Sequence, residues 1–320
     1  MWDEVVWQGN TYLRCQLLEL WAHGFFTRQF TPQTPDELVQ ILSPSAQVYR
    51  VKQVHGNRVL TSTAARWGAP STELAASIHL NPNPASDQGT VTQPMTPLTT
   101  TTPYSTSPPR ERLTAAKPPG VPPVTTATPS PYAHADGLVS DDPNQAVWVC
   151  TADCTPVLIA DRRTGQVAAV HAGWRGTAQK IVPEAIAQLQ TQGSELADLV
   201  VAMGPAIAGD AYQVTTDVAA QVGRTVATST DPVAELADLA EPPILPDTEP
   251  DRVRLDVRRI NALQLAQLGL TAAQVAIAPH CTYQNPDQFF SYRRSCHQQV
   301  QRAGQVQWSG IVSRVAARSD

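Results

Sequence analysis

A proline-rich segment near the middle of the chain separates two stretches with ordinary globular composition. Thirteen of the 28 prolines lie between residues 79 and 131, among many Thr, Ser and Gln residues. Each proline lacks a backbone donor and fixes φ, so neither a helix nor a central strand persists there. Few apolar side chains in this stretch offset the entropy of ordering it. We therefore predict a disordered insertion at about residues 79–131.

Short apolar runs on the C-terminal side of this segment indicate buried strands. Residues 147–150 and 156–160 are such runs, separated by a polar loop, and residues 199–203 and 275–278 continue the pattern. A further run at residues 166–171 follows Thr164-Gly165, which is typical of a hairpin turn.

Helical periodicity accompanies these strands. Apolar residues between 181 and 189 are spaced for one face of a helix, and Thr177 is placed to cap it. A second long helix is predicted around residues 260–268. The chain is thus a mixed α/β protein. Because the insertion separates strands of one domain, we expect a single domain over residues 1–320.

Charge and cysteine content exclude several classes of protein. The net charge of -5 provides no basic surplus for nucleic acid or an anionic membrane. The first residues lack the basic start and apolar run of a signal peptide, and the longest apolar stretch is shorter than the roughly 20 residues of a membrane span. Five cysteines, an odd number, argue against a disulfide framework. We expect a cytoplasmic protein with free thiols.

Two imidazoles and one thiolate form the most informative set of side chains: His55, Cys154 and His171. Catalytic zinc sites commonly have three protein ligands and one open position, and a thiolate favours zinc or cuprous copper over magnesium. The residues also permit other interpretations. The histidines could be hydrogen-bonded residues at strand ends with Cys154 as a small buried hydrophobe, or Cys150 and Cys154 could share one strand face.

Four motif blocks outside the insertion resemble one protein family. That family is the multicopper polyphenol oxidase (laccase)-related family, also known as the laccase-domain or bacterial purine nucleoside phosphorylase family. The blocks are Lys52-Gln-Val-His-Gly56 and Ala135-Asp-Gly-Leu-Val-Ser140 with Thr151-Ala-Asp-Cys-Thr-Pro156; Val170-His-Ala-Gly-Trp-Arg-Gly176; Gly204-Pro-Ala-Ile207 with Tyr212; and Cys281-Thr-Tyr283 with Phe289-Phe-Ser-Tyr-Arg-Arg294.

The resemblance implies both a fold and an activity. The fold is a single-domain layered α/β/β/α sandwich with mixed sheets. The resemblance implies zinc on His55, Cys154 and His171. It also implies phosphorolysis of adenosine, inosine, guanosine and methylthioadenosine, and deamination of adenosine. The partners are then purine nucleosides and phosphate, without nucleic acid or membrane, in a monomer or homodimer. An older polyphenol oxidase name leaves copper as the alternative metal.

Phosphorolysis requires an anion site, for which two arginines are candidates. Arg175 lies in a glycine-flanked loop expected to open the helix capped by Thr177, where free N–H groups favour anions. Arg28 could add a bidentate contact. The alternative for each arginine is a surface ion pair. In the C-terminal block an aromatic side chain could stack on the purine, although core packing is the more frequent use of such residues.

Deamination requires an activated water and a group that moves protons. Zinc lowers the pKa of a bound water toward about 7. Asp136 and Asp153 are the candidate proton-transfer carboxylates. The alternatives are that Asp136 is a turn residue before Gly137 and that Asp153 orients a histidine ligand.

Three other functions fit parts of this pattern. A cysteine hydrolase would use Cys154 as its nucleophile and a histidine as its base. A copper-dependent polyphenol oxidase would oxidise phenols and leave inosine unchanged. A non-enzymatic zinc protein would close the metal with a fourth protein ligand.

Overall fold

The computed structural model describes residues 1–66, 132–300 and 304–316 of the chain. The insertion predicted at residues 79–131 lies outside them. The strands are β1 (Trp2–Trp7), β2 (Asn10–Cys15), β3 (His23–Phe26), β4 (Gln47–Tyr49), β5 (Val59–Thr61), β6 (Gly137–Val139), β7 (Gln145–Thr151), β8 (Thr155–Asp161), β9 (Val167–Ala172), β10 (Leu199–Met203), β11 (Gln213–Thr215), β12 (Ile244–Pro246), β13 (Arg252–Leu255), β14 (Val275–Ile277) and β15 (Gln307–Val312). The helices are α1 (Pro35–Leu42), α2 (Ser62–Arg66), α3 (Trp174–Ala178), α4 (Ile181–Thr191), α5 (Thr216–Gly223), α6 (Pro232–Ala237), α7 (Val257–Leu268) and α8 (Tyr292–Gln298).

Two six-stranded mixed sheets dominate the fold. The first has the strand order β1-β2-β3-β15-β7-β4, and the second has the order β14-β10-β8-β9-β6-β5. Most neighbouring strands are antiparallel, whereas β4–β7, β5–β6 and β10–β14 are parallel. A third, antiparallel sheet has the order β11-β13-β12. The fold is therefore mixed α/β, as predicted.

The two large sheets pack face to face. One buried cluster contains Phe25 and Val147 of the first sheet together with Leu158 and Val200 of the second. The opposite face of the second sheet is covered by α4 and α7, and that of the first sheet by α1. The layers are thus α/β/β/α. Because β8 is covered on both faces, all seven of its residues are buried, which explains its continuous apolar run.

The predicted strands and helices on the C-terminal side of the insertion are confirmed, including the β8–β9 hairpin. The predicted cap of α4 is wrong. Lys180, with φ 57°, occupies the N-cap position. Thr177 instead lies inside α3, where its hydroxyl accepts a hydrogen bond from Asn261 of α7 (3.0 Å). The Thr177 hydroxyl oxygen, which would accept a backbone N–H in a cap, accepts from the buried Asn261 side chain instead.

Within the described ranges, each helix is too short or too polar to cross a bilayer.

Candidate metal centre

Strand register brings four polar residues together at one end of the strands of the second sheet. In the antiparallel β8–β9 ladder Pro156 lies opposite His171, so Cys154, the residue directly before β8, comes beside that histidine. Strands β5 and β6 are parallel, and β6 pairs with β9. The segments that lead into β5 and β6 carry His55 and Asp136. Both segments therefore lie at the same strand ends as Cys154 and His171.

His55, Cys154 and His171 converge there, with one candidate ligand atom from each within 4.8 Å of the others. The two imidazole rings are nearly perpendicular, with centroids 4.8 Å apart. His171 is buried, Cys154 is half-buried and His55 is exposed. Solvent therefore reaches the cluster from the His55 side. The two cysteines of the alternative reading do not share a strand face, because β7 ends at Thr151 before Cys154 is reached.

Asp136 joins two of the three loops. Its carboxylate accepts a hydrogen bond from Nδ1 of His171 (2.9 Å) and is fully buried. It also accepts from the backbone N–H groups of Val54, His55 and Gly56 at 2.8–3.2 Å. Nε2 of His171 is consequently the nitrogen that can bind a metal ion. The carboxylate also holds His55 in a left-handed turn with φ 62°.

The electrostatics of the cluster favour a cation. Burial disfavours the Cys154 thiolate, but the charge and hydrogen bond of His171 and the hydrogen bond of His55 outweigh it, lowering the pKa of the thiol to about 6. Burial disfavours a charged His171, yet the Cys154 thiolate and Asp136 raise its pKa to about 9. Against its own burial, the hydrogen bonds from His171 and Gly56 lower the pKa of Asp136. Two anionic groups thus flank His171, and their field would attract a metal ion as it attracts a proton.

Space around the thiolate also fits a bound ion. A Cβ on Gly173 would lie 2.9 Å from Sγ of Cys154 and 3.8 Å from Cδ2 of His55. Zinc ligands in a tetrahedral site are about 3.5 Å apart. The 4.8 Å limit on the donor atoms therefore requires only small side-chain movements. The donor set, its spacing and the glycine at residue 173 are compatible with one metal ion that keeps an open position.

Asp153 has a different environment from the one considered for it in the sequence. Its carboxylate accepts from Oγ1 of Thr282 (2.6 Å) and from the backbone N–H of Arg293 (2.7 Å). Orientation of a histidine ligand was one alternative for Asp153, but the carboxylate in contact with His171 is that of Asp136. With φ 96°, Asp153 bends the chain immediately before Cys154. It links the Cys154 loop to the C-terminal motif.

The two predicted anion-binding arginines make different contacts. Arg175 is the second residue of the short helix α3, not part of a preceding loop, and its exposed guanidinium stacks on Trp174 at 4.4 Å. Arg28 donates to the carbonyl of Pro286 (2.6 Å) and lies over the ring of Phe290 at 4.6 Å. Anion binding by both residues stays a prediction.

Tyr212 and Arg293 form a contacting pair, and neither residue was predicted from the sequence to have a role. The guanidinium of Arg293 lies 4.9 Å from the centroid of the Tyr212 ring. Burial raises the pKa of Tyr212, as do the charges of Cys154 and Asp153, whereas Arg293 and Arg175 lower it. The phenol is therefore within electrostatic reach of all four groups. Tyr212 and Arg293 both belong to the motif blocks, and this membership is the sequence feature that could have identified them.

The C-terminal aromatic residues show two environments. Tyr283 contacts the ring of His297, with its hydroxyl 3.0 Å from Nδ1, and Phe290 packs beneath Arg28. Purine stacking by one of these rings stays a prediction.

Comparison with known proteins identifies the family suggested by the motifs. Residues 112–309, more than half of the chain, match the family described as multi-copper polyphenol oxidoreductase laccase. A purine nucleoside phosphorylase of Synechocystis is 44% identical over 316 residues, covering 96% of each chain. One from Pseudomonas aeruginosa is 36% identical over 172 residues, covering 54% of this chain and 64% of the relative.

A solved structure shares the fold. YlmD from Geobacillus stearothermophilus has a TM-score of 0.63 at 20% identity, and the match covers 97% of this chain and 98% of YlmD. These matches confirm the resemblance seen in the motifs. The chain therefore belongs to the multi-copper polyphenol oxidoreductase laccase family, and its relatives in Synechocystis and P. aeruginosa carry the name purine nucleoside phosphorylase.

Proposed function

We propose that this protein is a zinc-dependent purine nucleoside phosphorylase that acts on adenosine, inosine, guanosine and methylthioadenosine and also deaminates adenosine. The carrying observation is the convergence of His55, Cys154 and His171 beside an opening to solvent. The relative that matches 96% of the chain supports the phosphorylase activity.

In this proposal His55, Cys154 and His171 hold the zinc ion. When bound, zinc supplies Lewis acidity to a group at its open position. The thiolate of Cys154 contributes a soft, negatively charged ligand, which favours zinc over magnesium or calcium. Asp136 keeps the proton on Nδ1 of His171, which would leave Nε2 free to bind the metal.

Phosphorolysis joins a phosphate oxygen to C1′ of the ribose while the bond from C1′ to the purine breaks. The electron pair leaves with the purine, which then takes up a proton. Arg175 and Arg28 are proposed to hold the phosphate. Arg175 lacks an ion-pair partner in the described part of the chain, so its charge is available to an anion. Because Arg28 lies over Phe290 with Nη1 already donating to Pro286, we assign it the weaker contact.

Deamination of adenosine replaces the amino group at C6 with an oxygen from water and releases ammonia. Asp136 and Asp153 were the predicted proton-transfer groups. Asp136 has no exposed oxygen and accepts from His171 and three backbone N–H groups. Asp153 is nearly as buried and has a donor on each oxygen. We therefore propose that both carboxylates hold neighbouring groups in place, and that protons pass through another group or water.

The deciding experiment is incubation of the purified, zinc-loaded protein with adenosine, with and without phosphate. We expect adenine and ribose 1-phosphate only when phosphate is present, and inosine in either case. His171→Ala should remove both activities together with the zinc. If the zinc-loaded protein forms no product from any of the four nucleosides, the proposal fails.

Two other reaction classes have specific support. The family description favours copper-dependent phenol oxidation, which predicts oxygen uptake with phenols in the copper-loaded protein and no change in inosine. The depressed pKa of Cys154 beside His171 also resembles the thiolate–imidazolium pair of a cysteine hydrolase. Alkylation separates the latter from a metal centre, because stoichiometric zinc should protect Cys154 from iodoacetamide and a chelator should expose it.

The proposal places the enzyme in the cytoplasm, where its nucleoside and phosphate substrates occur. All five cysteines are free thiols, as expected in a reducing compartment.

A further inference from the structure

The first turn of helix α8 contains two adjacent arginines, Arg293 and Arg294, that make different contacts. Arg294 directs its guanidinium at backbone carbonyls, donating to Thr282 (2.7 Å), Tyr283 (2.8 Å) and Phe289. Arg293 makes one side-chain hydrogen bond in the described part of the chain, from Nη1 to the carbonyl of Gln213 (2.7 Å). Arg294 therefore holds a loop together, whereas most donors of Arg293 are left for another partner.

The backbone of Arg293 is tied to the candidate metal centre. Its N–H donates to Oδ2 of Asp153, the residue directly before Cys154 (2.7 Å). Oδ1 of Asp153 accepts from the hydroxyl of Thr282 (2.6 Å). Asp153 therefore positions the first turn of α8 relative to the thiolate without neutralising the Arg293 guanidinium.

Tyr212 contacts Arg293 and is within electrostatic reach of Cys154. The guanidinium of Arg293 stacks on its ring at 4.9 Å. The phenol is influenced by the charges of Cys154 and Asp153 and by those of Arg293 and Arg175. The Tyr212 phenol is thus in contact with one guanidinium group and within electrostatic reach of a second and of the thiolate.

The Arg293 guanidinium makes no salt bridge among the described residues, and the Asp153 carboxylate binds its backbone N–H instead. Within the residues that the structure describes, neither Arg293 nor Arg175 has a carboxylate within ion-pair distance. Two half-exposed or exposed guanidinium groups without counterions, beside a hydroxyl donor, match the chemistry of an oxyanion site.

We propose that Arg293, assisted by the Tyr212 hydroxyl, contacts the phosphate co-substrate and sets its affinity together with Arg175. This inference deepens the proposed phosphorylase function and rests on it. Arg293 binds phosphate oxygens through its remaining N–H groups, and Tyr212 donates one further hydrogen bond. Asp153 is the positioning residue that aligns this pair with the metal.

Steady-state kinetics with inosine test the assignment when phosphate is varied. Arg293→Met removes the charge and Arg293→Lys retains it without the planar fork. We expect the KM for phosphate to rise about 10- to 100-fold in Arg293→Met and by a smaller factor in Arg293→Lys, because charge-assisted hydrogen bonds are lost. Tyr212→Phe keeps the ring under the guanidinium and should raise this KM about 3- to 10-fold. The KM for inosine and the zinc content should stay at wild-type values.

A matched control is Arg163→Met, since Arg163 pairs with Asp198 beyond the opposite end of β8 and should leave the KM for phosphate unchanged. An unchanged KM for phosphate in Arg293→Met, or a change confined to inosine, overturns the assignment. If Arg293→Met does not fold, Arg293→Lys and Tyr212→Phe decide it by the same criterion.

Failure of the proposed phosphorylase function can be distinguished from failure of the Arg293 assignment. If the zinc-loaded wild type forms no product, phosphorolysis is excluded and phosphate binding is measured directly by calorimetry with inorganic phosphate. Binding to the wild type that is lost in Arg293→Met supports the anion site without the reaction. Equal binding to both proteins, or to neither, overturns it.

Discussion

Two buried histidines at strand positions, His171 of the second sheet and His23 of the first, show opposite acid–base behaviour. They are 3% and 1% exposed. Yet the pKa of His171 is raised to about 9, whereas that of His23 is lowered to about 4. Burial alone disfavours the charged form of both rings. The difference must therefore come from the groups that the rings touch.

The contacts explain the contrast. His23 accepts a hydrogen bond from the Cys15 N–H at Nε2 (2.9 Å), and its Nδ1 lies 2.9 Å from the Trp21 carbonyl. These two partners are complementary to a neutral ring, since one nitrogen accepts and the other donates. His171 instead contacts the Asp136 carboxylate and the Cys154 thiolate. The first ring is a structural element of an apolar sheet, and the second lies in a negative field that suits a metal ion.

Of the substitutions around His171, removal of the Cys154 thiolate should lower zinc affinity the most. Cys154→Ala deletes one of three candidate ligands, and we expect zinc affinity to fall by about 1000-fold or more, with loss of phosphorolysis. Metal analysis after dialysis against a weak chelator, followed by the inosine assay, measures both effects.

Cys150→Ala is the matched control for this substitution. Cys150 is four residues away and half-buried, and burial raises the pKa of its thiol to about 11. We expect it to retain zinc. Loss of zinc from Cys150→Ala but not from Cys154→Ala would contradict the assigned ligand set.

Neutralising the carboxylate partner of His171 should have the next largest effect. Asp136→Asn removes the charge and leaves one acceptor oxygen for several N–H donors. We expect zinc affinity to fall about 10- to 100-fold, as for other groups that orient a metal-binding histidine. Competition titration with a zinc-sensitive dye measures the change. Asp142→Asn, on the surface, should behave as the wild type, and equal affinities in both variants would exclude the orienting role.

Sequence motifs predicted one of these histidines and not the other, for a physical reason. His171 ends an apolar run and belongs to a block that resembles a known family. Its position at a strand end and its role as a metal ligand could therefore be predicted from the sequence. The environment of His23 depends on a turn at residues 16–21 and on the pairing of β2 with β3. The backbone partners of His23, Cys15 and Trp21, are set by the path of this turn, which leaves no recognisable pattern of residue types in the sequence.

The same limit applies to the fold and to the rest of the site. Strands β8 and β9 were predictable because both their faces are buried, which requires continuous apolar runs. The cap of α4 was wrong because Asn261, 84 residues away, binds the Thr177 hydroxyl. The environments of Asp136 and Asp153 were likewise set by partners distant in sequence, His171 and Arg293. Local patterns identified polar side chains but not their partners.

Acid should destabilise the protein through His23. Its folded pKa of about 4 lies below the unfolded value near 6.5, so its stabilisation is present above pH 6.5 and is lost as the pH falls toward 4. Between pH 7 and pH 5 we expect a loss of about 2 kcal/mol from this residue. Urea unfolding of wild type and His23→Gln at both pH values isolates it, since other titrating groups are common to the two proteins. An identical pH dependence in both would show that His23 has the same pKa in the folded and unfolded states.

The smallest expected effect tests how closely the thiolate is fitted to its surroundings. In Gly173→Ala the new methyl group would lie 2.9 Å from Sγ of Cys154, so the sulfur must move by a few tenths of an ångström. We expect zinc affinity to fall about 3- to 10-fold with the fold retained, because a displaced ligand weakens the metal site while the apolar core around β8 and β9 is untouched. Gly56→Ala, whose Cβ would meet Asp136 at an ordinary 3.7 Å, should lower it less. Competition titration of both variants with a zinc-sensitive dye measures their zinc affinities and shows which variant loses more. A larger loss in Gly56→Ala would mean that the His55 loop, and not the thiolate, is the tightly fitted part of the centre.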